Sequence, residues 1–344
     1  MNKRKVLYIL NNAPNYRERF LRLLAKEVDL TVLCFSGKSQ NLIMPESRIG
    51  YKYIELNDQK FINLNINEFV KGNSNKYDVI LIGYNLRHPF RMLNLLSRKR
   101  VIAVGLIYGK NDNYFILLLR RFFLNRSEGV LVYSNYVKER LEKEIKKPII
   151  AFNNTSFSRN DMKFYIKEEP KSKLNLVWVG RYQKRKKIER LIDLADRNDK
   201  VNIRIIGPGI KDKLNDSNLP SNVQLYDGLF EDELKEHFLW SHAVFNPGGA
   251  GLLVMNAARY GRPIFIDNNS HHGPEIQLAK DSDQYFLDFS DNALIDDIIL
   301  KCIDGKINLN KLGQRVYDTM YKKYTIEYMT KRYIDAIDGK WNKV

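Results

Sequence analysis

Cysteine is nearly absent from this chain: Cys34 and Cys302 are the only two in 344 residues. That excludes a disulfide framework or a cysteine-rich zinc module and fits a reducing, cytoplasmic compartment. Long apolar runs are also missing. Nowhere do about 18 uncharged apolar residues follow one another, so no segment reads as a membrane-spanning helix. A secretory leader is not expected, because Met1-Asn2-Lys3-Arg4-Lys5 is followed by only five apolar residues, Val6 to Leu10, before Asn11 and Asn12. The five histidines, His88, His237, His242, His271 and His272, stand at no familiar ligand spacing with cysteines or acids. No metal site is therefore expected. A Gly-x-Ser-x-Gly elbow, an NTPase phosphate loop, solenoid repeats and low-complexity tracts are absent as well.

The length points to two domains, and 44% hydrophobic residues suffice to give each a core. Charge is unevenly placed. Residues 1–170 hold 30 basic and 16 acidic side chains, a balance of +14, whereas residues 171–344 hold 27 and 24, a balance of +3. A field of that sign attracts polyanions: nucleic acid, an anionic membrane face, or phosphorylated substrates. Tyr114-Phe-Ile-Leu-Leu-Leu-Arg120-Arg121-Phe-Phe-Leu124 reads either as a core helix or as a helix lying in a membrane interface.

Short apolar runs alternate with helix-length amphipathic stretches, the pattern of parallel sheets covered by helices. The expected strands of the first half are Val6–Leu10, Leu30–Phe35, Val79–Ile82, Val101–Val104 and Gly129–Tyr133, with helices at Arg17–Glu27, Arg91–Lys99 and Asn135–Glu144. Residues 156–173 are polar and aperiodic and read as a linker. Alternation then resumes from Leu174. The fold class is α/β, with two doubly wound, Rossmann-like parallel-sheet domains facing a central cleft. Residues 1–160 form the first domain, 174–324 the second, and a helix at about 325–344 returns to complete the first. Ligands of such sheets bind beyond the carboxyl ends of the strands, so the loops there are the informative ones.

The most specific of these loops runs Leu176-Val-Trp-Val-Gly180-Arg181-Tyr-Gln-Lys-Arg-Lys186-Lys187-Ile188. It places a guanidinium and an ammonium after a strand and before a helix, which by itself reads either as a diphosphate-binding arrangement or as a solvated basic turn. Ile205-Ile-Gly207-Pro-Gly209 ends the next strand with glycines, without the third glycine of a dinucleotide fingerprint. Phe245-Asn-Pro-Gly248-Gly249-Ala250-Gly251-Leu252 offers a glycine-rich turn whose amides can approach a phosphate or a sugar. Gly261-Arg-Pro263 and His272-Gly-Pro274-Glu275-Ile276 close the unit.

In this order the motifs resemble the retaining nucleotide-sugar glycosyltransferases of the GT-B fold, family four, in a variant similar to some bacterial polysaccharide transferases. The resemblance is specific over about residues 174–280. It implies that Arg181 and Lys186 hold the donor diphosphate, with Gly180, Gly207, Gly249, Ala250, Gly251, Leu252, Asn256 and Glu275 around the donor. It further implies a transfer in which Arg181, Lys186 and the Gly249–Gly251 amides stabilise the departing diphosphate, with no metal or other cofactor. Two departures stand out. Lys187 replaces the usual glycine after the lysine, and Gly248 and Asn256 take the places of the two glutamates of the family's Glu-x7-Glu motif. Asn256 retains a hydrogen-bonding side chain; Gly248 has no side chain to offer.

On the acceptor side, Asn11, Tyr16 and Arg17 follow the first strand, and Tyr108 and Lys110 follow the fourth, where related enzymes often place a histidine near the reaction centre. The implied partners are a nucleotide-sugar donor, a glycan or lipid-diphosphate-linked acceptor, and an anionic membrane face met peripherally, but no nucleic acid. Asp281-Ser-Asp283 spells the motif of metal-dependent sugar transferases but lies beyond the donor loops and reads as surface. Two other functions compete: an epimerase or silent homologue on the same fold, motivated by the missing glutamates, and a basic nucleic-acid-binding protein, which lacks any recognised motif.

Overall fold

The computed structural model describes residues 3–34, 47–56, 62–96, 99–109, 113–214, 219–229 and 231–341. They fall into two units, one formed by Met1–Ser158 with Thr325–Val344 and the other by Arg159–Tyr324. The first unit contains β1 (Lys5–Leu10), β2 (Asp29–Cys34), β3 (Lys52–Glu55), β4 (Val79–Gly83), β5 (Val101–Gly105), β6 (Gly129–Val132) and β7 (Ile149–Ala151). They form one sheet in the order β3-β2-β1-β4-β5-β6-β7, every pair parallel. Its helices are α1 (Asn15–Glu27), α2 (Ile62–Asn73), α3 (Pro89–Met92), α4 (Tyr114–Leu124) and α5 (Asn135–Glu142).

The second sheet has the order β10-β9-β8-β11-β12-β13, again all parallel. Its strands are β8 (Leu174–Val179), β9 (Val201–Ile206), β10 (Val223–Tyr226), β11 (Ala243–Asn246), β12 (Ile264–Asp267) and β13 (Tyr285–Leu287). Here the helices run from α6 (Glu189–Arg197) through α7 (Ile210–Leu214), α8 (Glu231–Trp240), α9 (Leu253–Arg259), α10 (Ile276–Asp281) and α11 (Asn292–Ile303) to α12 (Leu309–Lys323). Strand order reverses between β1 and β4 and between β8 and β11. At such switch points neighbouring loops diverge and leave a crevice at the carboxyl edge.

The expected linker over residues 156–173 is corrected. From Arg159 onward this stretch packs on the second unit: Asn310 donates to the Lys167 carbonyl at 2.8 Å, Arg262 to that of Tyr165 at 2.8 Å, and the Phe164 ring stacks edge-on against Tyr317. Its polar composition reflects a strap held by side chains, not a free tether. The strands β3, β7 and β13 were not expected. Lys52–Glu55 is a charged edge strand, and the other two are three residues long, so none carries the apolar run that marks a buried strand.

At Thr325 the chain returns to the first unit as α13 (Ile326–Ile337), capped by the Thr325 hydroxyl. The Tyr333 ring lies 4.8 Å from that of Phe20 and 5.0 Å from that of Phe152, centroid to centroid. Its hydroxyl shares a hydrogen bond of 3.0 Å with that of Tyr8, in the middle of β1. Burial pushes the Tyr8 hydroxyl up to about 12 and that of Tyr333 well above its usual value, so both remain neutral and bonded to each other. Tyr333→Ala should therefore cost about 3–5 kcal/mol by emptying a buried aromatic site. Chemical denaturation followed on the first unit checks this; a loss under about 1 kcal/mol would mean that α13 is an appendage.

Candidate functional site

The loops at the β8/β11 switch point interlock. After Gly180 the chain carries Arg181 exposed into solvent, makes a 3-10 turn over Lys184–Lys186, and enters α6 through Lys187. Gly180 and Gly207 let the ends of β8 and β9 nearly touch, since a side chain on Gly207 would overlap the Gly180 carbonyl. Behind them Trp178 is buried, its indole N–H donating 3.2 Å to Asn246, whose amide donates 2.6 Å to the Gly248 carbonyl.

Gly248 sits directly on the backbone of Arg185 and Lys186. A Cβ there would overlap the Lys186 carbonyl, so no side chain fits. The missing first glutamate is thus a steric requirement of this packing. The Lys186 ammonium folds over the same turn and donates to the Gly249 carbonyl. Burial, with Arg185 nearby, lowers its pKa, while Glu275 opposes the shift. Glu275, in turn, has its carboxyl raised by burial and partly restored by Lys186. The two side chains share one partly dry site beside the turn.

The glycine-turn amides are not all offered to a ligand, which corrects the expectation for Gly249 and Ala250. Gly249 N–H donates 3.0 Å to the Arg185 carbonyl, and Ala250 N–H donates 3.1 Å to His272 Nδ1. Of the three, the amide of Gly251 is the one not engaged in this way. Leu252 is 55% exposed at the end of the turn, and Asn256 lies one helical turn on, its amide donating to the Leu252 carbonyl. His272 and Arg185 brace the turn. In the sequence His272 only precedes a glycine and Arg185 only belongs to a basic run, and neither reveals a brace.

Lys187 occupies the left-handed region, with φ 50°. A glycine adopts that conformation freely; a lysine does so at a cost on the order of 1 kcal/mol. What holds it is Asp267, fully buried at the end of β12, whose carboxylate accepts from Lys187 Nζ at 3.0 Å and from the Ser270 hydroxyl at 2.5 Å. Burial would raise the Asp267 pKa, but these contacts prevail and hold it below the usual carboxylate value. The replacement of the usual glycine is therefore matched by an acid two strands away.

The first unit has a separate cavity of about 860 Å³ at the carboxyl ends of β1, β4 and β5, lined among others by Asn11, Tyr16, Arg17, Arg87, Tyr108 and Phe115. Among the described residues no Asp or Glu lines it. Arg17 donates 2.7 Å to the Tyr133 hydroxyl, and Asn11 accepts 2.6 Å from Arg91. Tyr108 is clamped. Its hydroxyl donates 2.9 Å to Glu144, and the guanidiniums of Arg120 and Arg140 lie 4.4 and 3.8 Å from its ring centre. Burial and Glu144 raise its pKa, so it is held as a neutral ring and not as a base. Ile107 just before it has φ 67°, a conformation rare for a β-branched residue. Lys110 lies outside the described residues.

Asp281 and Asp283 do not converge: the first accepts from Tyr324 at 2.6 Å, the second pairs with Arg315 at 3.5 Å. Among the described residues no three His, Cys, Asp or Glu side chains form a metal-type cluster.

Solved structures share this architecture across the whole chain. A glycosyltransferase from Rickettsia africae ESF-5 is 10% identical and superposes with a TM-score of 0.74, covering 100% of both chains. HepE of Anabaena, solved in complex with UDP-glucose, is 12% identical over 98% of this chain and 100% of that one, with a TM-score of 0.64. A Listeria monocytogenes protein provisionally described as a UDP-N-acetylglucosamine 2-epimerase is 15% identical over 100% and 98%, with a TM-score of 0.61. A search of curated proteins gives no match. The chain has the GT-B fold, two parallel-sheet α/β domains. Residues 160–319, nearly the whole second unit, match the family described as glycosyl transferases group 1, so the second unit carries a domain of that family.

The packing of Gly248 yields a direct test. Restoring the family's acid with Gly248→Glu should lower stability by about 1–3 kcal/mol or more, as overpacking against backbone does. Thermal melting checks it, and a Gly248→Glu protein of undiminished stability would show that the two loops do not interlock.

Proposed function

We propose that the chain transfers a sugar from a nucleotide-diphosphate donor, bound at the β8/β11 switch point, to a glycan acceptor of a cell-surface polysaccharide or its lipid-linked precursor. The observation that carries the reading is the Lys186 ammonium folded over the glycine turn, with Arg181 free in solvent across the same loop. A donor diphosphate seated there exchanges the Lys186 bond to the Gly249 carbonyl for a charge-assisted one and gains the Arg181 fork and the Gly251 amide. Asn256 is the ribose partner, and Glu275 faces the transferred sugar from beside Lys186. Its carboxylate interacts electrostatically with Lys186.

Transfer proceeds with retention. The bond from the anomeric carbon to the diphosphate oxygen breaks while the acceptor oxygen bonds to the same face, and the acceptor proton passes to the departing phosphate. Arg181 and Lys186 hold the charge that develops on that phosphate, so no divalent metal is required. The first-unit cavity, with its aromatic walls and arginines, takes the acceptor against Asn11, Tyr16, Arg17 and Tyr108. The excess positive charge of this half matches a diphosphate-linked acceptor met peripherally at the cytoplasmic side of an anionic membrane. A second reading, epimerisation of the nucleotide sugar, is favoured by the likeness to the Listeria protein and the absent glutamates. Release of an epimerised nucleotide sugar without acceptor would select it.

Arg181→Ala and Lys186→Ala should each weaken donor binding or turnover by an order of magnitude or more, the loss of a charge-assisted contact of about 1.5–3 kcal/mol. Titration with nucleotide sugars, with and without chelator, checks both roles; unchanged kinetics in the two variants or full dependence on manganese would contradict them. The lowered Lys186 pKa adds a pH test. The protonated form binds phosphate, so donor affinity should fall with rising pH at lower pH than an ordinary lysine would dictate, and Lys186→Arg should remove that alkaline limb. An identical limb in Lys186→Arg would assign the titration elsewhere.

A further inference from the structure

Helix α4 turns three different faces to its surroundings. Arg120, Phe123 and Leu124 are buried in the first unit, with Arg120 paired to Glu144 at 2.7 Å. Phe115, Ile116 and Leu119 line the 860 Å³ cavity. At 100° per residue, Tyr114, Phe115, Leu118 and Phe122 share a stripe about 100° wide. These four are 73, 65, 43 and 44% exposed. Arg121 lies at one edge of the stripe. At the other, the Arg126 guanidinium stacks 3.8 Å over the Phe122 ring and donates to its carbonyl. The 3-10 turn over Leu93–Leu96, beside which α4 packs, exposes Leu93 and Leu96 as well.

Single exposed apolar side chains are ordinary, but an aromatic stripe flanked by cations is not. The surrounding sequence has the same sign: residues 84–127 contain nine lysines and arginines and one aspartate. With 11 residues, α4 is far too short to span a bilayer, and no helix of the described residues is long and apolar enough to do so. An amphipathic helix with rings on one face and arginines at its edges matches the boundary between lipid phosphates and acyl chains, where each half meets its own solvent.

We infer that α4 is an interfacial anchor that seats the first unit on an anionic lipid bilayer. Its rings enter the headgroup boundary, and Arg121 and Arg126 meet the lipid phosphates. Because the same helix lines the cavity, docking brings that cavity within about one helix width, roughly 10 Å, of the lipid surface. The acceptor is then a glycan carried on a lipid and presented from the bilayer, a consequence that rests on the acceptor reading above, whereas the docking does not.

The test uses the full chain and co-sedimentation with phosphatidylcholine vesicles, either pure or containing about one-third phosphatidylglycerol. Partition onto the anionic vesicles alone, weakened by salt, is expected. Leu118→Gln/Phe122→Gln and, separately, Tyr114→Ser/Arg121→Ser should each reduce it by roughly tenfold with unchanged melting, since only exposed groups change. Absence of partition in the parent chain, or partition indifferent to both variants, overturns the anchor. So does self-association that Leu118→Gln/Phe122→Gln abolishes in a chain that ignores vesicles, because the stripe then belongs to a second copy. Stabilisation by nucleotide sugars, read on the same samples, reports on the transferase reading by itself. Sugar-nucleotide binding without vesicle binding therefore overturns the anchor alone.

Discussion

The backbone contact between Gly248 and Lys186 is the constraint on which the β8/β11 switch point depends. It brings the turn after β11 against the turn after β8 with no side chain between them. Everything polar in the region follows from that closeness. The Lys186 ammonium can reach the Gly249 carbonyl, the Arg185 carbonyl can hold the Gly249 amide, and His272 can brace Ala250 from the next loop. A glutamate at Gly248 is incompatible with this geometry. Its loss is part of a different way of building the site, in which Glu275 stands beside Lys186.

A second loop depends on the same economy of space. Lys187 takes a backbone conformation suited to glycine, and a buried aspartate from β12 holds its side chain. Without its lysine that buried carboxylate would keep Arg190, at 4.0 Å, and the Ser270 hydroxyl as partners and lose its closest cation. The left-handed turn aims the chain into α6 and sets where Lys186 can point. Its role is positional, acting through the neighbouring residue.

Much of this was legible in the sequence. The alternation of apolar runs and amphipathic stretches located β1, β2, β4, β5, β6 and β8 through β12 because buried parallel strands are continuous apolar segments. Gly180-Arg181 and Lys186 stood out because the glycine turns at 207–209 and 248–251 follow them after later strands. What was hidden depended on tertiary contact. No local pattern marks Asp267 as the partner of Lys187, His272 as the acceptor for Ala250, or Glu144 as the clamp on Tyr108. Residues 159–173 looked like a linker because their order comes from bonds to residues about 100 or more positions away, Arg262 and Asn310 among them.

The central claim is that the ammonium of Lys186 and the turn it covers form the diphosphate seat of a group 1 glycosyltransferase. The most direct measurement is a crystal structure of the chain with a uridine diphosphate sugar bound. The account predicts the β-phosphate within hydrogen-bond reach of Lys186 Nζ and the Gly251 amide, with the Arg181 guanidinium swung onto the diphosphate. A nucleotide sugar bound away from the β8/β11 switch point, with Lys186 still on the Gly249 carbonyl, would contradict it.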